Sequence, residues 1–165
     1  MYSGTIEKKE ELKVVGLVLQ TSFAANRQAE DIPPFFHKNM ETKILKSVPN
    51  RVNNNQICII NRKENSPDFD YYMGVEVGNY SDVPDGMASI TLQASDYAVT
   101  PFIKKGNADV MMAVKYLTEE WIPQNAHKEA QDKPGIIYYD EDFIKGFEEK
   151  GYEGDLTAKL LIPVT

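Results

Sequence analysis

The order of strand and helix patterns along the chain limits its fold more than any other feature of the sequence. In the first half, residues 13–22 are rich in β-branched side chains and predict a strand, and apolar residues spaced by four across 36–48 predict a helix. Asp31 stands just before two prolines, which is a signal for the start of that helix. Residues 56–62 and 69–77 predict two more strands. The first half therefore follows the order strand, helix, strand, strand.

The second half of the sequence repeats this order. Residues 88–105 predict one long strand that is broken near Pro101, and Asn107 is the predicted cap of a second helix. Residues 135–140 and 156–164 predict the last two strands. The second helix carries one apolar stripe, formed by Val110, Val114, Leu117 and Trp121. The matching order of the two halves indicates a duplication.

Two such units packed together predict one α+β domain over residues 1–165, with pseudo-repeats at about 6–79 and 88–165. A chain of 165 residues suits a single domain, and 42% hydrophobic residues are enough for a sizeable core. A turn-rich link at 83–86 would join the repeats. We therefore expect an antiparallel sheet with two main helices on one side.

Charge and cysteine content restrict the partners and the compartment. The formal net charge is −7, and Lys and Arg form no extended cluster, so we expect no direct binding to nucleic acid. The single cysteine, Cys58, lies in an apolar run, where a thiol is normally inert packing. The charged block at 7–11 is unlike a signal peptide, and no apolar run reaches the ~20 residues of a membrane span. We expect a cytoplasmic protein without a membrane partner.

The sequence offers few groups for catalysis or metal binding. His37 and His127 lack metal-ligand spacing, and no phosphate-binding loop, dinucleotide motif or nucleophile elbow is present. The acidic stretch 140–149 lacks the alternating ligands and the glycine of a calcium loop, and it predicts a solvated connection between strands. We therefore predict no catalytic residue, no metal and no cofactor.

Aromatic residues from separate elements are better candidates for a binding site. Aromatic walls with a few polar groups suit an organic ligand, and an added carboxylate would favour a lipophilic cation. The alternative is that these side chains belong to the core, which the position of Trp121 on the apolar stripe favours. The candidates are Tyr71, Tyr72, Phe102, Trp121, Tyr138 and Tyr139.

Glu76 is the acidic residue with the most informative position. Strand alternation places Tyr72 and Glu76 on one face of the strand at 69–77. Met73 and Val75 lie on the other face, which is apolar and should contact the core. Glu76 is then either exposed to solvent or part of a groove on the open side of the sheet.

Five segments spread over the chain carry a family resemblance: DYYMGVEV, VPDGMASITLQASDYAV, EEWIPQ, PGIIYYDEDF and the terminal LLIPV. In this order and spacing they resemble the GyrI-like small-molecule-binding domains, over residues 6 to 164. The resemblance is strongest for the stand-alone effector-binding proteins, which include integron-cassette members. A similar domain is the sensor of drug-responsive regulators of the AraC and MerR types.

The resemblance implies paired repeats with a ligand groove between them, in which aromatics and a buried glutamate bind lipophilic, often cationic compounds. The family pattern aromatic-Glu-x-Tyr falls on residues 136–139, so that Tyr139 matches the tyrosine while Ile137 replaces the glutamate. The groove would then be apolar where relatives are charged, unless Glu76 supplies the carboxylate. The predicted ligand-binding residues are Tyr72, Glu76, Phe102, Trp121, Ile137 and Tyr139.

Three functions follow as hypotheses. The first is a stand-alone binding protein for a hydrophobic or cationic small organic molecule, acting in sensing or sequestration, since the chain leaves little room for a DNA-binding module. The second is an inhibitor that contacts DNA gyrase as a protein partner, as one branch of the resembled family does. The third is a hydrolase of a reactive hydrophobic compound, and the isoleucine at 137 counts against it. Binding without enzymatic activity is the predicted function.

Overall fold

The computed structural model describes residues 2–165, which form one antiparallel sheet with helices packed against one of its faces. The strands are β1 Thr5–Lys9, β2 Leu12–Ser22, β3 Gln56–Arg62, β4 Asp68–Glu76, β5 Ala88–Leu92, β6 Ser95–Ile103, β7 Gly135–Tyr139 and β8 Thr157–Val164. The helices are α1 Gln28–Thr42, α2 Asn107–Lys115, α3 Ile122–Gln124 and α4 Glu141–Lys150, with a π-helical turn Tyr116–Trp121 joining α2 to α3. None of the described helices has the length and apolar character needed to cross a membrane.

The strand order is symmetric about the centre of the sheet. It runs β1-β6-β8-β7-β3-β4-β2-β5, and every neighbouring pair is antiparallel. The first half contributes β2, β4 and β3 in that spatial order, and the second half contributes β6, β8 and β7 in the same order. The pairing of β3 with β7 joins the two units. The predicted α+β class and the duplicated strand-helix-strand-strand unit are confirmed, while the exact domain and repeat bounds stay a prediction.

Two short links force the sheet to curl. β1 and β2 are separated by two residues, yet they lie six positions apart in the sheet, and the same holds for β5 and β6. Six strand spacings in a flat sheet measure roughly 29 Å. Three Cα–Cα steps span at most about 11 Å. Lys9 lies opposite Ser95 and Leu12 lies opposite Leu92, so the four strands form one bent ribbon that draws the two ends of the sheet together.

Each face of the curled sheet has its own apolar core. The face covered by the helices carries a large core that includes Phe36 of α1, Leu117 and Phe143 of α4. The opposite face carries a smaller core of strand residues, among them Ile57 and Tyr97, which no described helix covers. Since these side chains are at most 2% exposed, the curl of the sheet itself must remove them from water.

The break in the long strand predicted for 88–105 lies elsewhere than expected. The strand is interrupted at Gln93 and Ala94, between β5 and β6. Pro101 lies inside β6, where it pairs with Lys159 of β8. The prediction of a break near Pro101 is therefore wrong. Pro101 is tolerated because β1 pairs with β6 only as far as Val99, so the missing N–H faces an unpaired edge.

The acidic stretch 140–149 is a helix and not a solvated connection. The Asp140 carboxylate accepts a hydrogen bond from the Phe143 N–H at 2.9 Å and caps α4. Phe143 is buried on the helix-covered face, and Ile144 and Phe147 pack against the same core. This apolar spacing was present in the sequence, but the many charges on the exposed side obscured it.

Two helix starts also differ from the prediction. α1 begins at Gln28, one turn before the predicted start at Asp31. In α2 the N-cap is Gly106 and not Asn107. The Asp109 carboxylate performs the capping, because it accepts hydrogen bonds from the backbone N–H groups of Lys105 (2.8 Å) and Gly106 (3.0 Å).

We expect Gly16→Ala to destabilise the fold, since Gly16 faces Gly74 across β2 and β4 and an added Cβ would overlap the backbone of Met73 and Gly74. Neither strand can yield without disturbing the ladder, and overpacking of this kind costs about 1–3 kcal/mol. Urea denaturation measures the loss. Gly135→Ala in β7 is the control, because its Cβ would come no closer than 3.8 Å to another atom. Equal stability of the two variants would contradict the tight β2–β4 approach.

Candidate functional site

A cavity of about 240 Å³ lies at the junction of the two repeats, between α1, the start of α2 and the sheet. We call it the α1–α2 cavity. Its floor consists of side chains from β4 and β7, which flank β3 in the sheet. It is lined by Ile32, Pro33, Phe36, His37, Tyr71, Lys104, Lys105, Gly106, Asn107, Val110, Ile137 and Tyr139. Both repeats therefore contribute walls to one pocket.

Aromatic and aliphatic side chains form most of these walls. The rings of Phe36 and Tyr139 lie 5.5 Å apart between centroids, and the Tyr139 ring also packs on Phe143 at 4.6 Å. Val110 and Ile137 add aliphatic surface and are at most 6% exposed. These four lining groups are held in fixed positions by the core behind them, so the pocket is formed before any ligand arrives.

Lys104 is the one buried basic residue among the described residues, and it lines this cavity. It follows directly after β6, and its backbone N–H donates to the carbonyl of Leu156 at 2.9 Å. The residue is only 6% exposed. Its Nζ lies 3.6 Å from the centroid of Phe36 and 5.1 Å from the centroid of Tyr139, so the ammonium is held by cation–π attraction between two aromatic walls.

Burial perturbs the titration of Lys104. Desolvation lowers its pKa from the usual 10.5 to about 8, although the Asp109 carboxylate acts in the opposite direction. The ammonium is therefore still the main form at pH 7, but it is much less stable than a solvated one. Burying a charge is costly to the fold, and groups with a perturbed pKa are concentrated at functional sites.

The charged side chains among the described lining residues are basic, and the Asp109 carboxylate acts on Lys104 from outside this lining. Among the described residues that line it, none is Asp or Glu. Lys105 pairs with Asp155 at the surface, with 3.1 Å between Nζ and Oδ1. The His37 ring contacts Phe36 and Phe147, at 6.3 and 5.8 Å between centroids. The cavity is thus an aromatic pocket whose fixed charge is a cation.

Cys58 belongs to β3, the strand between the two that form the floor of the cavity. It pairs with Ile137 of β7 in the strand register and is fully buried. Burial raises the pKa of its thiol to about 11, so the thiol stays protonated at neutral pH. The predicted role of Cys58 as packing agrees with this environment. In the described part of the chain, no group of His, Cys, Asp and Glu side chains has a geometry that could hold a metal ion.

The six predicted ligand-binding residues do not share one groove. Ile137 and Tyr139 line the α1–α2 cavity. Phe102 belongs to the same core but is not part of the cavity wall. Trp121 lies at the far end of the α2–α3 segment, where its ring is stacked near His127 at 6.3 Å between centroids.

Tyr72 and Glu76 lie on the opposite face of the sheet. Tyr72 packs against the strand-only core, as the alternation predicted. Glu76 is half-buried there and acts on Tyr138, whose pKa is raised by burial and then by the charges of Glu76 and Asp140. The sheet separates this carboxylate from the α1–α2 cavity, so Glu76 does not supply the charge that Ile137 lacks.

Sequence reasoning missed Phe36 and Lys104 as site residues. The signal for Lys104 was available, because Phe102 and Lys104 are two residues apart and strand alternation puts them on the same, buried face. The sequence analysis counted Lys104 and Lys105 only among the Lys and Arg residues that form no extended cluster. The signal for Phe36 was its helical stripe alone, which predicts burial but not a cavity.

A second cavity, of about 400 Å³, opens between α1 and α4, and its walls are more polar. Four of the charged residues that line it form two ion pairs, at 2.5 Å between Lys46 and Glu148 and 3.1 Å between Lys145 and Glu141, while Lys43 and Arg51 add positive charge. The α1–α2 cavity differs from it by combining largely apolar walls with a buried charge, which is the composition of a typical small-molecule site. We therefore take the smaller cavity as the candidate site.

The fold is shared with solved structures of low sequence identity. The structure of SAV2435 bound to tetraphenylphosphonium aligns with a TM-score of 0.76 and 13% identity, over 99% of this chain and 94% of the other. The integron cassette protein VCH_CASS2 of Vibrio cholerae aligns at 0.61 and 14%, over 98% and 95%. The C-terminal domain of EcmrR aligns at 0.68 and 12%, over 100% and 98%. At this identity the likeness establishes the fold.

The sequence itself supplies the family. No curated protein matches the chain closely enough to count as a relative. The model of the Cass2 family, described as integron-associated effector binding protein, matches residues 5–164. Since that match spans nearly all of the 165 residues, the chain belongs to the integron-associated effector binding proteins.

Proposed function

We propose that this protein binds a small hydrophobic organic molecule in the α1–α2 cavity, as an effector-binding protein that senses or sequesters its ligand. The observation that carries this proposal is the cavity itself, in which aromatic and aliphatic walls surround a few polar groups. Small-molecule sites commonly have this composition. Family membership and a similar structure bound to tetraphenylphosphonium give further support.

The size of the cavity limits the ligand. Its volume of about 240 Å³ falls just below the ~300–1,000 Å³ of typical ligand pockets. A compact molecule with one or two rings suits this space, and a bulky one would require α1 and the loop before α2 to separate. The ligand-contacting residues we propose are Phe36, Lys104, Val110, Ile137 and Tyr139, two of which were predicted from the sequence.

A lipophilic cation is not the ligand we propose for this chain. The aromatic surface that would receive a cation already holds the Lys104 ammonium, and a second positive charge beside it would be repelled. Hydrolysis through a glutamate is not proposed either, because no carboxylate is found among the described lining residues. Binding remains the function that the geometry favours.

We expect Gly106→Phe to weaken ligand binding, because Gly106 lines the cavity and a Cβ there meets no atom within 4 Å. The larger side chain can therefore enter the pocket space without a backbone clash, at the cost of a poorer N-cap for α2. A thermal-shift screen with compact aromatic compounds measures binding. Compounds that raise the melting temperature of the wild type should raise that of the variant much less.

Gly154→Phe is the matched control for this experiment. Gly154 also has an extended backbone and free space at its Cβ, and it lines no described cavity. It should respond to ligands as the wild type does. Unchanged ligand shifts in Gly106→Phe, or the absence of any stabilising compound in a broad panel, would contradict the proposed function.

We expect Lys104→Met to stabilise the ligand-free protein at pH 7. A fall in pKa from 10.5 to about 8 corresponds to about 3 kcal/mol against the buried ammonium. Part of this is offset by lost cation–π attraction, so a gain of about 1–2 kcal/mol remains. Urea denaturation of both proteins measures it, with Lys159→Met, a lysine of the opposite sheet face that is half exposed, as the control.

The same pKa predicts a pH trend. Between pH 8 and 10.5 the unfolded chain keeps the Lys104 proton that the folded chain releases, so this group makes the wild type more stable as the pH rises. The advantage of Lys104→Met should shrink over that range. The nearby titrating groups Cys58, Asp109 and Lys105 are common to both proteins. A constant difference from pH 7 to 10 would show that the Lys104 amine is not desolvated.

A further inference from the structure

We propose that the second cavity, between α1 and α4, is a separate binding site for a small organic anion, which Arg51 and Gln56 hold by its oxyanion groups. We call it the α1–α4 cavity. Its volume of about 400 Å³ lies within the ~300–1,000 Å³ of typical ligand pockets. It shares no described lining residue with the α1–α2 cavity, so the inference does not depend on the function proposed for that cavity.

The α1–α4 cavity has an excess of positive charge. Four basic and two acidic side chains are among its described lining residues, which leaves a surplus of two positive charges. Both acids, Glu141 and Glu148, are already paired with lysines. Lys43 and Arg51 form no ion pair with a described carboxylate. A negatively charged ligand would therefore be attracted, and a cation repelled.

Arg51 brings a guanidinium with an unused edge to this cavity. Its backbone bridges to Val77, just after β4, and its Nη1 group donates to the carbonyl of Leu45 at 3.5 Å. Its Nε–H is buried and has no hydrogen-bond partner among the described residues. Burial lowers the pKa of this guanidinium, and no described carboxylate raises it in return. The Nε–H and one Nη2–H of arginine point the same way and form a fork that matches two oxygens of a carboxylate or phosphate.

Gln56 adds a second unsatisfied donor to the same cavity. It is only 5% exposed, and its Nε2 is buried without a hydrogen-bond acceptor among the described residues. Its described polar neighbour is the Cys58 thiol, which is protonated and a weak acceptor. The amide nitrogens of Asn39, Asn54 and Asn55, which also line the cavity, donate to oxygens of the protein. Buried donors are normally satisfied, so an exception beside a cavity indicates the place of a ligand acceptor.

The two donors and the remaining walls define the ligand. Because Arg51 and Gln56 both line open space, rotation of their terminal groups brings these N–H groups to ligand oxygens. Met40, Val75 and Ile144 provide apolar wall for a short carbon skeleton, which an inorganic anion would leave unfilled. The surplus of two positive charges suits a doubly charged ligand. Dicarboxylates and phosphate monoesters share this chemistry.

The test uses four probes: isophthalate, phenyl phosphate, the neutral isophthalamide and inorganic phosphate. Isothermal titration calorimetry at pH 7 and low salt measures their dissociation constants. We expect isophthalate or phenyl phosphate, or both, to bind at least tenfold more tightly than isophthalamide, and inorganic phosphate to bind more weakly than the tighter organic anion. The tighter of the two organic anions identifies the preferred oxyanion group. A wild type that binds isophthalamide or inorganic phosphate as tightly as both organic anions would overturn the inference.

Arg51→Met should weaken binding of the preferred anion at least tenfold, and Arg51→Lys should recover only part of the loss, because lysine restores the charge without the fork. Gln56→Met should weaken binding at least threefold without loss of stability, since it removes an unsatisfied buried donor at similar volume. Thermal unfolding checks that each variant is folded. Lys115→Gln is the control, because Lys115 is exposed on α2 and lines no described cavity. Equal losses in Lys115→Gln and Arg51→Met would overturn the inference.

Gly106→Phe separates this site from the α1–α2 cavity, because Gly106 lines only the latter of the two. It should bind the preferred anion as the wild type does. If Gly106→Phe abolishes anion binding while Arg51→Met does not, the anion occupies the α1–α2 cavity and the inference is wrong, although the proposed function stands. If no anion binds the wild type, the inference fails, and the proposed function is decided separately by the panel of compact aromatic compounds.

Discussion

The curl of the sheet is the constraint on which the rest of the structure depends. Two-residue links require the chain to pass from one end of an eight-stranded sheet to the other, and a flat sheet is far too wide for that. The curled sheet buries one set of strand residues on its helix-free face without any covering element. The other face of the sheet is covered by α1, α2 and α4, which pack against it. Because the two repeats meet at β3 and β7, α1 and the start of α2 come together over the same strands and enclose a cavity there.

Lysine is usually exposed at a protein surface, but this architecture buries Lys104 at the candidate site. The hydrogen bond from its backbone to Leu156 fixes the end of β6, and its side chain lies on the same face as Phe102. The side chain therefore points under α1, where the Phe36 ring receives the ammonium. A charge at this depth costs stability, and cation–π attraction recovers only a part of that cost. The fold keeps a destabilising group at a place where both repeats line a pocket, as is common for functional sites.

Much of the fold could be predicted from the sequence, because the relevant signals are local. Alternation identified β2, β3 and β4 to within one residue, and it separated Tyr72 and Glu76 from Met73 and Val75 correctly. The errors arose where local signals competed. The charges around Phe143 concealed α4, and Pro101 was taken as a strand break although its edge position makes it harmless.

The sequence by itself determined the strand-helix-strand-strand order of each half, the α+β class, the opposite faces of β4 and the apolar character of position 137. Those properties depend on side-chain periodicity and on residue identity, which a linear sequence contains. Only the tertiary structure decided that Glu76 and Ile137 lie on opposite sides of the sheet and that Lys104 lies beside Tyr139. Those residues come from different strands, and which strands become neighbours depends on the curl and on the β3–β7 pairing between repeats. Long-range pairing of this kind is a property of the whole chain, and no local pattern specifies it.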